Sequence, residues 1–344
     1  MTQINPKKRV FSGIQPTGKV HLGNYLGAVK HWVENQSKYD SIFCIVDLHA
    51  LTIPETVKPN NLKRKILEVA ALFMACGIDS QQSAIFTQSH ISAHAELTWL
   101  LNCVTPVGWL ERMTQYKSKA DRLTSVSTGL FDYPVLQAAD ILLYRADGVP
   151  VGEDQKQHVE LARDIAQRFH SLFGEAFVLP EPMIRSAGAR IMGLDDPTVK
   201  MSKSLGEVKK GHSIGLTDAP EAIRESILRA VTDSGNEVRY DHASAGVRNL
   251  LEIFEVISGK TREEIESKFH GKGYNFLKRE VADLVIATLQ PIQDQYFRLM
   301  ADPGHLQRIL REGADRVRPT AEETLRHVKR LMGLDALLLW DQPG

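Results

Sequence analysis

Ser41 to Val46 reads Ser-Ile-Phe-Cys-Ile-Val, an apolar and largely β-branched run with no polar alternation. A strand of that composition must be covered on both faces, as in the parallel sheets that crossover helices enclose. Its neighbours supply the cover. Arg9-Val10-Phe11-Ser12 reads as a short strand ending at Gly13. Asn24 to about Ser37 reads as a helix with Leu26, Val29 and Val33 on one side and Trp32 on the flank. Asn61 to Cys76 is a second helix, with Ile66, Val69, Leu72 and Phe73 at core spacing, and Ala84 to Thr87 is another strand. This alternation predicts an α/β fold, a Rossmann-like doubly wound parallel sheet with right-handed crossovers.

The pattern turns mostly helical from Ala93 to Tyr144, returns to a strand at Gly148–Val151, and continues as a helix from about Asp154 to Phe169. After Ser204 no strand pattern of any length follows. Asp218-Ala219-Pro220-Glu221 and Thr261-Arg262-Glu263-Glu264 read as capped helix starts. Tyr274 to Met300, interrupted at Pro291, and Pro303 to about Leu339 read as long helices. The expected division is a sheet domain over 1–204, with a helical insertion around 93–144, and an all-helical C-terminal domain over 205–344. Leu205 to Leu216, bearing Gly and Lys, is the expected linker.

Hydrophobic residues make up 43% and charged residues 24% of the 344, and Lys plus Arg balance Asp plus Glu at 42 each. A neutral chain lacks the broad basic field that coats nucleic acid, which leaves room only for an RNA partner held by a local patch and a shaped surface. No apolar run approaches the roughly 18 residues of a membrane span, and the first eight residues lack the apolar core of a signal peptide. Cytoplasmic or organelle-matrix residence is the simple expectation. Cys44, Cys76 and Cys103 are far apart and unpaired by spacing, so neither a disulfide framework nor a zinc site is expected.

Four segments carry chemistry. Gln15 to Asn24 lies where the first strand gives way to the first helix, which in doubly wound sheets is the ligand crevice. Gly18 and Gly23 permit close backbone approach there, the helix start favours an anion, and His21 can donate to a phosphate. Alone, this is equally a tight turn with a capping Asn24. Lys200-Met201-Ser202-Lys203-Ser204 alternates ammonium and hydroxyl donors, as a loop around a polyphosphate would. Lys119, Lys200 and Lys203 can offset charge on a leaving pyrophosphate. Pro134 suits a helix start, and Tyr133, Leu136, Gln137 and Asp140 then share one face. A carboxylate among apolar residues suits a ligand with an N–H or O–H donor, although a structural Asp satisfied by backbone is the commoner outcome. Gly152-Glu153-Asp154-Gln155 opens a helix after a strand, where Gly152 can approach a base or ribose and Asp154 can bond ribose hydroxyls. A solvated, capped helix start fits these residues as well. His31, His94 and His170 stand alone and receive no role, and no metal-binding spacing is present.

In this order the segments resemble the class I aminoacyl-tRNA synthetases, and within them the tryptophanyl enzymes of bacterial or organellar type. Pro16-Thr17-Gly18 through His21-Leu22-Gly23-Asn24 is similar to the family's first signature, and Lys200 to Ser204 matches the second letter for letter. Cys44 to Ala50, Gly129 to Pro134 and Val149 to His158 resemble the same family. The resemblance implies ATP-dependent activation of L-tryptophan to tryptophanyl-adenylate, release of pyrophosphate, and transfer to tRNA(Trp). It implies Mg²⁺ carried by the nucleotide, no protein-bound metal and a homodimer, with the helical C-terminal region reading the anticodon. By the same resemblance Gln15, Pro16, Thr17, His21, Gly23, Asn24, Gly152, Glu153, Asp154, Ile191, Lys200, Met201, Ser202, Lys203 and Ser204 face ATP, with Lys119 at its phosphates. Asp140 receives the indole N–H, and Tyr133, Gln137, Gln155, Phe11 and His49 shape the amino acid pocket. Gln137 departs from the Met of many bacterial members and also occurs in tyrosyl enzymes. Tyrosine–tRNA ligation is therefore the nearest alternative, followed by adenylyl transfer without RNA and by RNA binding without chemistry.

Overall fold

The structure, a computed structural model, describes residues 7–121, 123–184, 190–202, 206 and 209–334. Lys203, Ser204 and Leu205 lie outside the described residues. Among those described, five parallel strands form one sheet in the order β3-β2-β1-β4-β5: β1 Arg9–Ile14, β2 Asp40–Ile45, β3 Ala84–Thr87, β4 Gly148–Val151 and β5 Glu181–Ile184. The order reverses beside β1, which pairs with β2 along its whole length and with β4 at Val10. That is the switch point at which open α/β sheets bind ligands.

The period-2 alternation of the strands divides the core. Phe43, Ile45 and Ile85 point to one face, where the Pro59–Ala75 helix contributes Val69, Leu72 and Phe73. Phe11, Ile42, Cys44 and Phe86 point to the other, against Leu97 and Leu101 of the Ala93–Asn102 helix and Val159 and Ile165 of the Lys156–Phe173 helix. Both faces are sealed, as the composition of β2 requires.

The helix after β1 begins at Leu22–Asn24, widens through a π-helical turn at Tyr25–Val29 and resumes at Lys30–Asn35. The Thr128–Leu142 helix starts six residues before Pro134. Ser127 caps it by accepting from the Leu130 N–H at 3.1 Å, so Pro134 lies inside the helix and not at its start. Pro291 likewise lies within a continuous Tyr274–Met300 helix. β5 has no counterpart among the expected strands.

The C-terminal stretch divides in two. The helices Pro220–Leu228, Ala245–Ser258, Arg262–Phe269 and Tyr274–Met300 pack on one another through Ile223, Leu250, Leu251, Phe254, Phe269 and Val281. The Pro303–Leu331 helix instead lies along β3. A Cβ at Gly313 would collide with the Ile85 carbonyl, and Ala314, Val317, Ala321 and Val328 join the core of the sheet. Arg316 donates to the Ser80 carbonyl at 3.0 Å and Arg318 to the His90 carbonyl at 3.0 Å. The Pro303–Leu331 helix thus packs on the sheet as well as on the helices before it, through Leu306 and Leu310.

Candidate active site

Two cavities open at the carboxyl ends of β1 and β4. The first, of about 410 Å³, is lined by Phe11 and Gln15 from β1 and the turn after it, and by His49 after β2. Tyr133, Gln137, Asp140, Gly152 and Gln155 complete the wall with Gln115 and Lys119. The second, of about 380 Å³, is lined by His21, Gly23, Asn24, Gly152, Glu153, Asp154, Ile191, Lys200 and Met201. Gly152 and Trp32 border both cavities, so a ligand can span them. Pro16, Thr17 and Ser202 line neither cavity.

Asp140 anchors the first cavity from the helix behind it. It is 1% exposed, yet its carboxyl is held down at about 2. Burial alone pushes the other way; hydrogen bonds from His49 and His94, and their charges, outweigh it. Because the ionised carboxylate only accepts, its partners must donate. His49 Nε2 reaches Oδ2 at 3.0 Å, while Gln88 Nε2 and His94 Nδ1 both reach Oδ1 at 2.6 Å. Two of these partners escaped the sequence reading. Gln88 follows β3 and also accepts from the Leu48 N–H at 3.0 Å. His94, fully buried and given no role in the sequence reading, continues through Nε2 to the Tyr144 hydroxyl at 2.7 Å. Oδ1 thus takes two donors and Oδ2 one, fewer than a carboxylate can accept, and Asp140 lines the cavity.

A second set faces Asp140. The Tyr133 hydroxyl lies 2.8 Å from His158 Nε2. Burial first, then the charges of Lys119 and His49, brings His158 down to about 4 and keeps it neutral at neutral pH. Lys119 Nζ sits 4.3 Å above the Tyr133 ring. Burial lowers its ammonium below the ordinary lysine range, and no carboxylate pairs with it among the described residues. The Thr114–Ala120 helix that carries Gln115 and Lys119 is fixed at its start, where the Thr114 N–H donates to Gln157 Oε1 at 3.0 Å.

At the second cavity His21 is 3% exposed and caps its helix. Its Nδ1 accepts from the Asn24 N–H at 3.3 Å, while Asn24 Oδ1 accepts from the His21 N–H at 3.2 Å. The capping residue is His21, with Asn24 reciprocating three residues on. This pairing places Gly23 and Asn24 of the helix start at the cavity, while the Leu22 N–H donates to the Ile214 carbonyl at 2.8 Å. Across from it Lys200 Nζ lies 3.4 Å from Asp154 Oδ1. Burial raises the Asp154 carboxyl, but the Lys200 charge leaves it below the usual range. Arg190 and Ile184 also border this cavity, and the sequence reading assigned neither to it.

A parallel α/β sheet with adjoining cavities at its switch point, a capped helix start and a lysine-bearing loop across from it define a nucleotide-handling enzyme. A family model of class I tRNA synthetases (W and Y) matches residues 3–290, and the chain belongs to that family. The tryptophan–tRNA ligase of Wolinella succinogenes is 52% identical over 329 residues, spanning 95% of this chain and 99% of that one. The Helicobacter pylori tryptophan–tRNA ligase is 50% identical over 329 residues, with 95% and 99% covered. Among solved structures, tryptophanyl-tRNA synthetase from Mycoplasma pneumoniae superposes with a TM-score of 0.88 at 34% identity, covering 96% of this chain and 99% of that one. The Campylobacter jejuni enzyme, complexed with ADP and tryptophan, gives 0.81 at 36% identity over 95% and 100%.

Proposed function

We propose that the protein is a tryptophan–tRNA ligase that activates L-tryptophan with ATP and passes the tryptophanyl group to tRNA(Trp). The observation that carries this reading is the buried, ionised Asp140, which lines the first cavity with fewer donors than its carboxylate can accept. Indole offers one N–H donor in an otherwise flat apolar body, and this carboxylate offers one acceptor. Phe11 and His49 wall the ring, Tyr133 and Gln155 face the amino acid head group, and the carboxylate points toward Gly152, where the cavities adjoin.

In the first step a carboxylate oxygen of tryptophan attacks the α-phosphorus, an anhydride bond forms, and the bond to pyrophosphate breaks. The nucleophile is already ionised, so no general base is needed. Catalysis is positioning and charge stabilisation. Lys119, partly buried and with no carboxylate partner among the described residues, offsets charge on the phosphates, with Lys200 and Lys203 on the other side. The helix start behind His21 and Asn24 takes a phosphate, and Asp154 takes ribose hydroxyls once Lys200 turns to the nucleotide. Mg²⁺ rides on the phosphate oxygens and supplies further charge neutralisation when bound. In the second step the terminal ribose of tRNA displaces AMP, with the helices between 220 and 300 holding the anticodon arm. Exposed Trp99 and Val107, at 68% and 61%, support an association of two copies through the 93–144 insertion. Cytoplasmic residence goes with this reading.

Gln137 favours the tyrosine alternative, because its amide faces the first cavity and can meet a phenol. Amino-acid-dependent pyrophosphate exchange decides between them. Exchange driven by tryptophan and not by tyrosine is expected; exchange driven by tyrosine and not tryptophan would sink the proposal.

A further inference from the structure

The Ala245–Ser258 helix contacts both segments that border the second cavity, though it lines no part of that cavity itself. Asn249 is 3% exposed on its inner face. Its Oδ1 accepts from the Met192 N–H at 2.8 Å and its Nδ2 donates to the Met192 carbonyl at 3.0 Å. One side-chain amide thereby satisfies both backbone groups of a single residue, as an adjacent strand would. Met192 forms an antiparallel bridge with Lys200, and the Met201 N–H donates to the Ile191 carbonyl at 3.1 Å. Met192 therefore lies at the base of the loop from which Lys200 projects. Leu194 strengthens the base, its carbonyl accepting from the Val231 N–H at 2.8 Å and its N–H donating to the His212 carbonyl at 3.1 Å. At the other end of the same helix, Lys30 Nζ donates to the Val256 carbonyl at 2.8 Å. A cation is favoured at such a C-terminal carbonyl, and Lys30 belongs to the helical run that His21 caps. One helix is thus pinned to both nucleotide-facing segments.

We infer that Asn249 is a positioning residue for adenylate formation. By holding Met192 it sets where Lys200 stands relative to the helix start at His21. The inference rests on the reading that Lys200 meets the phosphates. A misplacement of about 1 Å can lower rate on the order of 10²-fold, whereas the tryptophan cavity does not include this loop.

The test is a double-mutant cycle in the full-length protein, read by tryptophan-dependent pyrophosphate exchange, with tryptophan affinity and thermal midpoint measured alongside. Asn249→Ala is expected to lower kcat/KM for ATP by about 10–100-fold and to leave tryptophan affinity within about twofold. Asn249→Asp, which keeps the acceptor for the Met192 N–H and loses the donor, should fall between. In a Lys200→Ala background Asn249→Ala should add little, since its effect passes through Lys200. Unchanged ATP kinetics overturn the inference, as do fully additive losses or a loss of tryptophan affinity in step with the melting temperature. If Lys200→Ala alone leaves exchange unchanged, the assignment of Lys200 to the phosphates falls, and the inference falls with it. Tryptophan-driven exchange by the unaltered protein separates these outcomes from a failure of the proposed function.

Discussion

Replacing Asp140 by Asn preserves the shape of the side chain and removes its charge. The carboxylate holds three donors, at 3.0, 2.6 and 2.6 Å, fewer than it can accept. In the amide one oxygen becomes an NH₂ that must face at least one of His49, Gln88, His94 or the ligand, all donors in the native arrangement. A hydrogen bond to a charged acceptor contributes about 1.5–3 kcal/mol. Loss of the indole contact alone therefore predicts a fall of roughly 10–150-fold in kcat/KM for tryptophan, at 1.4 kcal/mol per tenfold. The assay is pyrophosphate exchange with tryptophan and with an analogue in which sulfur replaces the indole N–H. The unaltered protein should prefer tryptophan strongly, and Asp140→Asn should collapse that preference by lowering tryptophan far more than the analogue. An equal fall for both would show that Asp140 is structural only. A kcat/KM for tryptophan within threefold of the unaltered protein, with the fold intact, would refute the reasoning altogether.

The other predictions concern neighbouring features. The Gln137 amide makes no hydrogen bond to a described residue, and covering an unpartnered amide is unfavourable by about 1–3 kcal/mol; Gln137→Met should lower the KM for tryptophan by roughly 5–140-fold, and steady-state exchange showing a raised KM would contradict this. Lys119→Ala should reduce the exchange kcat about 10²-fold with little change in tryptophan Kd, on the scale of losing one preorganised charge partner; equilibrium dialysis paired with exchange kinetics makes the distinction. His158 is depressed from 6.5 to about 4, so between those values the unfolded chain binds a proton that the folded one refuses. Stability is full above 6.5 and falls with acid through about 4, by at most about 3 kcal/mol. Urea titrations from pH 7 to 4 should show this phase, and His158→Gln should lack it. Gly313→Ala drives a methyl into the Ile85 carbonyl and should destabilise by about 1–3 kcal/mol, seen as a lower urea midpoint.

Much of this architecture is legible in local pattern. The β2 run, the helix periodicities and the glycine turns after β1 and β4 place the sheet and the rims of both cavities, because each is decided by residues adjacent in the chain. What is illegible depends on distant partners. Gln88 and His94 meet Asp140 across 52 and 46 residues and belong to no local motif. β5, Glu-Pro-Met-Ile, is a short edge strand with both ends exposed, so it shows neither apolar run nor alternation. Pro134 and Pro291 read as breaks, since proline removes a helix hydrogen bond; burial of Leu130, Val135 and Ala138 around one, and of Leu289 and Ile292 around the other, holds those helices continuous. Asn249 lies on an amphipathic helix where a polar residue carries no signal by itself. The return of the last helix to β3 is hidden for a similar reason. Its small residues Gly313, Ala314 and Ala321 are unremarkable until a strand is laid against them.

That return also bears on how the protein is made. The ribosome delivers β1 through β5 well before residues 303–331, and the helical region intervenes. Until that helix emerges, Ile85 and Phe86 on the outer strand lack part of their cover, and the His90 carbonyl just past β3 lacks its Arg318 donor. A nascent chain stalled between residues 204 and 303 therefore carries every signature segment without the helix that covers β3.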